Sequence, residues 1–283
     1  MRAGASEFGP VALAFVRATG ALAFLLPLMA WRGETAIARR HWRPLLIVGV
    51  TNSAVPFLCF SYAALSIPAA MLSIFNATTP LMGAVIAWAW LHDRMTASRA
   101  LGLAVGFGGV VWLVWSRSGA ALAHGLDWHA LLPMLACLGA TLGYGFSASF
   151  TKRFLTGVPP VASAAGSQVA ASLVLAGPAI AAWPAQPLSH VAWGTALLLA
   201  VLCTGVAYVI FFHLIAKIGP ARAISVTYLI PVFGALWGFV FLNEHVSADM
   251  VLGGLVILLG TALTTGVLRW PAARTVDATT GGR

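Results

Sequence analysis

Charged side chains are scarce in this sequence, and acidic ones are the scarcest. Only 8% of the 283 residues are charged, with 7 Asp and Glu against 16 Lys and Arg. Because soluble domains carry about 25% charged residues, this composition excludes an ordinary soluble protein. Hydrophobic residues make up 60% of the sequence, so we expect most of the chain to lie in lipid.

Motifs of catalysis and metal binding are also missing. The sequence contains neither the HExxH pattern of zinc metalloproteases nor the GxSxG pattern of serine hydrolases. Its histidines are scattered, and its three cysteines, Cys59, Cys137 and Cys203, stand alone in apolar stretches without CxxC spacing. We therefore interpret the cysteines as small buried side chains and expect no enzyme activity, no bound metal and no cofactor.

Long apolar runs make up most of the chain. A run of about 18 residues or more can cross a hydrocarbon core about 30 Å thick. The runs lack the alternation of barrel strands, so we predict helices, which satisfy their own backbone hydrogen bonds in lipid. The sequence thus predicts an all-α polytopic membrane protein. The nine predicted spans are residues 11–31, 45–64, 69–91, 99–115, 128–150, 160–182, 190–216, 221–242 and 248–268.

The basic residues are distributed unevenly between the two sides of the predicted membrane. With loops assigned alternately, one side holds Arg2 and Arg117, and Arg17 lies within a span. This bias follows the positive-inside rule, so the basic side and the C-terminus are predicted to be cytoplasmic in a multi-pass protein of the inner or plasma membrane. The net charge of +9 therefore reflects topology, and no nucleic-acid partner is expected. The basic side collects Arg32, Arg39, Arg40, Arg43, Arg94, Arg99, Lys152, Arg153, Lys217, Arg222, Arg269, Arg274 and Arg283.

The second half of the chain repeats the first at an offset of 151 positions. The offset spans five predicted helices, and an odd number of crossings makes the repeat inverted. It also places Arg17 opposite Gln168. The residues Pro80, Gly83, Leu91, Asp93, Leu101, Gly102, Val105 and Gly109 reappear as Pro231, Gly234, Leu242, Glu244, Leu252, Gly253, Val256 and Gly260.

The repeat also predicts the domain organisation. We expect a first repeat at 1–127, a second at 128–270 and a disordered cytoplasmic tail at 271–283. Two five-helix units need ten spans and nine are present, so we expect a further helix before residue 1 and a truncated or misassigned start. Asp93 and Glu244 are expected to cap the connections that follow them. Close helix contacts are expected at Gly102, Gly106, Gly109, Gly253 and Gly260.

Paired polar clusters indicate a candidate binding site. Pro80 and Pro231 are predicted to kink the third and eighth spans at equivalent places, and interrupted helices in inverted halves are typical of transporter sites. Amides and hydroxyls in mid-membrane are expected to face a cavity or another helix. Alternatively, they bond only to their own helices and neighbouring helices. The candidate cavity residues are Arg17, Asn52, Asn76, Thr79, Tyr144, Gln168, Thr204, Tyr208 and Tyr228.

Arg17 allows two interpretations. Its long side chain lies seven residues beyond Pro10 and can snorkel to the external surface. Alternatively, it binds a carboxylate or another anionic group of a solute. No carboxylate lies deep in any span, so coupling through a buried acid has no support and facilitated or exchange transport is favoured.

Three stretches of the sequence are typical of one known family. They are PVALAFVRATGALAFLLPL (10–28) and two longer stretches, 63–113 and 218–263, with their shared proline, acidic residue and glycines. They resemble the EamA-type members of the drug/metabolite transporter superfamily. The resemblance implies ten helices in two inverted five-helix repeats, both termini cytoplasmic and a substrate cavity between the halves. The chain departs from the family in lacking the first helix and in carrying His92-Asp93 where members usually have a glutamate.

The function that we expect is transport of small organic metabolites by alternating access. Export of amino acids or related amphipathic compounds is the leading hypothesis, with a small-molecule solute and the lipid bilayer as partners and a monomer or homodimer as the assembly. Family members carry amino acids, amines, sugars or drugs, so the resemblance leaves the solute open. The alternatives are a nucleotide-sugar or phosphate-ester exchanger and a membrane subunit that does not transport.

Overall fold

The structure is a computed structural model that describes residues 2–123, 128–219, 223 and 225–268, with the side chains of 2, 3, 117–123, 225 and 228 outside the description. All regular structure in these residues is helical. The α-helices are α1 (Arg2–Trp31), α2 (Thr35–Arg40), α3 (Trp42–Gly49), α4 (Val55–Ala63), α5 (Ala69–Asn76), α6 (Thr79–Leu91), α7 (Ala97–Ala123), α8 (Trp128–Phe154), α9 (Pro160–Ala181), α10 (His190–Ala200), α11 (Ala207–Ile218), α12 (Ile230–Leu242) and α13 (Ala248–Thr265). Two π-helical turns, π1 (Val50–Ala54) and π2 (Val201–Val206), and a 3-10 turn, Ser225–Leu229, complete them.

Eight helical stretches in the described part of the chain are long and apolar enough to cross a bilayer, and α12 is a further, shorter apolar helix. They follow the order of the nine predicted spans, which confirms the all-α polytopic fold class. The span predicted at 221–242 is a 3-10 turn followed by α12, while residues 220–222 and 224 lie outside the description. The predicted tail at 271–283 also lies outside it.

The first helix is broken near its start. Gly9 has φ 72° and ψ 164°, a backbone conformation that is open to glycine and strained for other residues. Pro10 follows directly, and its fixed φ suits the first turn of a helix. The unbroken helical part of α1 therefore begins next to the predicted start at residue 11, while the apolar stretch long enough to cross a bilayer begins at Gly4.

The repeat is visible in the backbone as well as in the sequence. Helices α6 and α12 begin and end at positions that the repeat offset relates to each other. Each is followed by a left-handed residue, His92 with φ 55° and Asn243 with φ 50°. The next backbone N–H, of Asp93 or Glu244, donates to a carbonyl six residues earlier in both copies. These two helices and the turns after them thus fold alike, as the inverted repeat predicts.

The two equivalent acids, Asp93 and Glu244, have different partners. The Glu244 carboxylate accepts a hydrogen bond of 2.8 Å from the backbone N–H of Ala69, the first residue of α5. Asp93 instead lies 3.9 Å from the Lys152 ammonium. The prediction that each caps the connection after it is therefore wrong: Glu244 binds one N–H group at a helix start in the other half, and Asp93 pairs with Lys152.

Glycines bring α7 and α13 into backbone contact, which confirms the predicted role of most of the repeated glycines. A Cβ added at Gly260 would lie 2.3 Å from the backbone nitrogen of Gly106 and 2.7 Å from the carbonyl oxygen of Gly102. Small residues allow this approach, and the resulting van der Waals packing holds helices together in lipid.

Gly260→Ala is expected to destabilise the protein by about 1–3 kcal/mol, because the added methyl group must push two backbones apart. A lower melting temperature of the detergent-solubilised protein would report the loss. Gly108→Ala is the matched control, since a Cβ there meets nothing within 4 Å. Equal melting temperatures for the two variants would contradict the close approach of α7 and α13.

Candidate functional site

Two π-helical turns lie at equivalent places in the two halves. They begin at Val50 and Val201, which the repeat offset relates to each other, and each interrupts an otherwise α-helical span. Such turns widen a helix locally and often occur at functional sites. They position Asn52 and its repeat counterpart Cys203, both of which line one cavity near the middle of the membrane-crossing helices.

This central cavity has a volume of about 360 Å³ and is lined by residues from both halves. Five of the predicted site residues line it: Asn52, Asn76, Thr79, Tyr144 and Tyr208. Its lining includes two asparagines and two threonines, and most of the other lining side chains are apolar. The remaining lining residues are Cys203, Ala207, Ile210, Phe211, Leu214, Val226, Thr227 and Ile230.

Three further predicted residues, Arg17, Gln168 and Thr204, are buried behind the cavity wall. The Arg17 Nε donates to the Thr204 hydroxyl at 2.7 Å, and the Gln168 amide donates to the Ser53 hydroxyl at 2.9 Å. The repeat offset relates the members of one pair to those of the other. The two halves are therefore joined by two equivalent buried hydrogen bonds to a hydroxyl. The donor is the Arg17 cation in one of these bonds and the neutral Gln168 amide in the other.

Arg17 points into the protein. The residue is 8% exposed, and its guanidinium carbon lies 3.8 Å from the centroid of the Phe57 ring, a favourable cation–π geometry. The interpretation that Arg17 snorkels to the surface is therefore wrong.

Tyr208 joins the two halves at the cavity. Its hydroxyl donates to the backbone carbonyl of Asn52 at 2.7 Å and accepts from the Ser53 hydroxyl at 3.4 Å. One side chain of α11 therefore satisfies polar groups of π1 and holds Asn52 in place. Thr79 lines the cavity and also donates to the Asn76 carbonyl at 2.7 Å. One side chain can therefore line the cavity and bond to the backbone nearby.

Pro80 and Pro231 begin helices and do not kink continuous ones. Each is the second residue of its helix, α6 or α12, and both are buried. A proline is tolerated in a first turn because its missing N–H has no intrahelical acceptor there. The first predicted kink is thus a break between α5 and α6, and the second is the junction of the 3-10 turn Ser225–Leu229 with α12. The side chain of Tyr228, beside this junction, lies outside the described residues.

A second cavity, of about 260 Å³, lies along α6, from Pro80 near its start to Leu91 at its end. Thr79 lines the central cavity and Pro80 lines the second. The second cavity also contains charged side chains, Asp93, Arg99 and Lys152. It therefore reaches the end of the bundle where lysines and arginines cluster.

The prediction that all three cysteines are buried is wrong for Cys203, which is exposed and lines the central cavity. Cys137 is buried, as predicted. We expect a small water-soluble maleimide to label Cys203 in the Cys59→Ser variant and to leave Cys137 unlabelled. Mass spectrometry of the modified peptide measures the difference. Equal labelling of the two thiols, or none at Cys203, would contradict a water-accessible cavity.

An all-α membrane bundle with an inverted repeat, broken helices and a cavity shared by both halves defines a membrane transporter. The sequence profile of the EamA-like transporter family matches residues 1–115 and 131–266, so the chain belongs to this family.

Individual relatives are distant. The chain is 22% identical over 268 residues to the uncharacterized transporter YoaV of Bacillus subtilis (strain 168), covering 94% of this chain and 90% of that protein. It is 23% identical to a probable terminal-alkyne amino-acid exporter of Streptantibioticus cattleyicolor, covering 100% of this chain and 92% of that protein. A solved crystal structure superposes with a TM-score of 0.67 at 19% identity, covering 94% of this chain and 90% of that one. That likeness concerns the fold alone.

Proposed function

We propose that the protein exports amino acids or related amphipathic compounds by alternating access across the inner or plasma membrane. The observation that carries the proposal is the composition of the central cavity. Asn52, Asn76 and Thr79 offer hydrogen-bonding groups, and Phe211 and Leu214 are among its apolar side chains. A volume of about 360 Å³ is within the usual range of small-molecule sites.

Each part of an amino acid has a matching group in this arrangement. From behind the cavity wall, the buried cation of Arg17 attracts a carboxylate, since low polarity around it strengthens the attraction. The side-chain carbonyls of Asn52 and Asn76 accept hydrogen bonds from an ammonium group, and the apolar wall contacts the side chain. The exporter of Streptantibioticus cattleyicolor, whose name specifies an amino acid, supports this class of solute.

The orientation of the bundle in the membrane is proposed from the charge distribution. The second cavity reaches the basic end of the bundle, which the positive-inside rule assigns to the cytoplasm together with the C-terminus. At the opposite end, Glu244 ties α12 to the start of α5. We infer that the second cavity is the opening towards the cytoplasm and that the repeats at 1–127 and 128–270 exchange open and closed ends during a cycle.

Counterflow into proteoliposomes tests the proposal. Vesicles containing purified protein are loaded with an unlabelled solute, and uptake of the labelled solute is compared with that of protein-free vesicles. The panel contains neutral apolar L-amino acids, their methyl esters, the corresponding amines and nucleotide sugars. We expect saturable counterflow of amino acids. Counterflow of nucleotide sugars alone, or of no solute, would reject the proposal.

A further inference from the structure

A third cavity lies on the outside of the bundle, away from the proposed solute path. It is a groove of about 340 Å³ that runs along α9 between the end of α1 and the start of α3. Most of its wall is apolar, and Leu26, Leu46 and Leu173 are partly exposed along it. The full lining is Leu26, Met29, Thr35, Ala38, Arg39, Trp42, Leu45, Leu46, Gly166, Val169, Ala170 and Leu173.

The short helix α2 closes one end of this groove. The Glu34 carboxylate, just before α2, accepts a hydrogen bond of 2.9 Å from the backbone N–H of Ala162 near the start of α9. At the base, a Cβ added to Gly166 would lie 2.5 Å from a methyl carbon of Leu45. The groove therefore has a fixed cover and a tightly packed floor, and its remaining side faces the lipid.

The closed end of the groove is strongly basic. Arg32, Arg39, Arg40 and Arg43 lie close together in the sequence and all are exposed, while the carboxylate between them, Glu34, is held by the N–H of Ala162. Arg39 lines the groove itself.

The neighbouring Trp42 is 57% exposed, and the Arg43 guanidinium lies 5.4 Å from its ring centroid. Tryptophan and arginine at the end of a span are typical of the lipid headgroup level.

We propose that this groove binds one anionic phospholipid. An acyl chain lies along α9 between α1 and α3, and the phosphate binds Arg39 at the closed end. The inference rests on charge complementarity, because an apolar channel beneath a cationic rim matches a negative headgroup attached to a hydrocarbon chain. A zwitterionic lipid has the same chains but no net charge and binds more weakly.

Native mass spectrometry of the purified full-length protein tests this site, with 1-palmitoyl-2-oleoyl phosphatidylglycerol as the probe and the matching phosphatidylcholine as the reference lipid. We expect R39Q to lower phosphatidylglycerol occupancy about fivefold, the effect of removing one cation that contacts an anionic lipid. R40Q removes the same charge from the adjacent position, which does not line the groove, and is expected to change occupancy less than about twofold.

A second pair of variants tests the acyl chain without changing charge. V169W fills the groove and is expected to lower occupancy at least as much as R39Q. V174W adds the same ring at an exposed position of α9 outside the groove and is expected to bind as the parent protein does. Equal binding of both lipids, equal losses in R39Q and R40Q, or unchanged binding in a folded V169W would each overturn the proposal.

Discussion

Replacing Arg17 by glutamine is expected to lower the transport efficiency for solutes that carry a carboxylate by about 10- to 100-fold. A hydrogen bond to a charged group contributes about 1.5–3 kcal/mol, and each 1.4 kcal/mol corresponds to about a tenfold change in binding. The buried guanidinium, which contacts Thr204 and Phe57, would supply that energy to a carboxylate that approaches this part of the cavity wall. The measurement is the concentration dependence of counterflow in proteoliposomes.

The inverted repeat indicates that this variant keeps its fold. Glutamine already occupies the equivalent position 168, where its amide donates to the Ser53 hydroxyl. A glutamine at position 17 can therefore donate to Thr204 in the same way and keep the buried polar pair satisfied. We expect the melting temperature of R17Q to fall by only a few degrees.

Solutes without a carboxylate separate recognition from structure. A methyl ester of the transported amino acid retains the ammonium group and the side chain but lacks the negative charge. Its transport should be nearly the same in the parent protein and in R17Q. An equal loss for acid and ester would make Arg17 structural, and an unchanged affinity for the acid would exclude it from solute binding.

The polar side chains of the site could be predicted from the sequence. An amide or hydroxyl facing lipid is unfavourable, so Asn52, Asn76 and Thr79 had to face inward, and they line the cavity. Phe211 and Leu214 gave no such signal, because an apolar side chain is equally stable against lipid, protein or cavity. The cavity wall therefore follows only from the packing of helices that are distant in sequence.

The direction of a long side chain and the local winding of a helix were also beyond the sequence. Arg17 has the length to reach either the surface or the interior, and the positions of Thr204 and Phe57 decide between them. The π-helical turns add a residue to a turn without a recognisable sequence pattern. Even so, the repeat offset relates π1 to π2, so the repeat predicts where the second lies once the first is known.

The different roles of Asp93 and Glu244 have a chemical reason that the repeat makes visible. Glu244 accepts from the backbone N–H of Ala69. The repeat counterpart of Ala69 is Pro220, which has no backbone N–H to donate. The equivalent hydrogen bond is therefore not available to Asp93, whose carboxylate instead lies near Lys152. The two acids, at positions that the repeat relates, therefore have different partners because one backbone N–H donor is missing.

Filling the central cavity is expected to stop transport while leaving the fold intact. Ala207 is the first residue of α11 and lines the cavity, so a tryptophan there would occupy space that the solute needs. Losing more than about 1.4 kcal/mol of solute binding lowers flux more than about tenfold at subsaturating concentrations. Counterflow of the best solute of the panel measures this loss.

Val206→Trp provides the matched control for this variant. Val206 directly precedes Ala207, is 36% exposed and lies outside the cavity lining, so its replacement adds the same ring to the outer face of the span. We expect V206W to transport as the parent protein does and both variants to keep melting temperatures close to it. If a folded A207W carried solute as fast as V206W, the central cavity would not be the transport path.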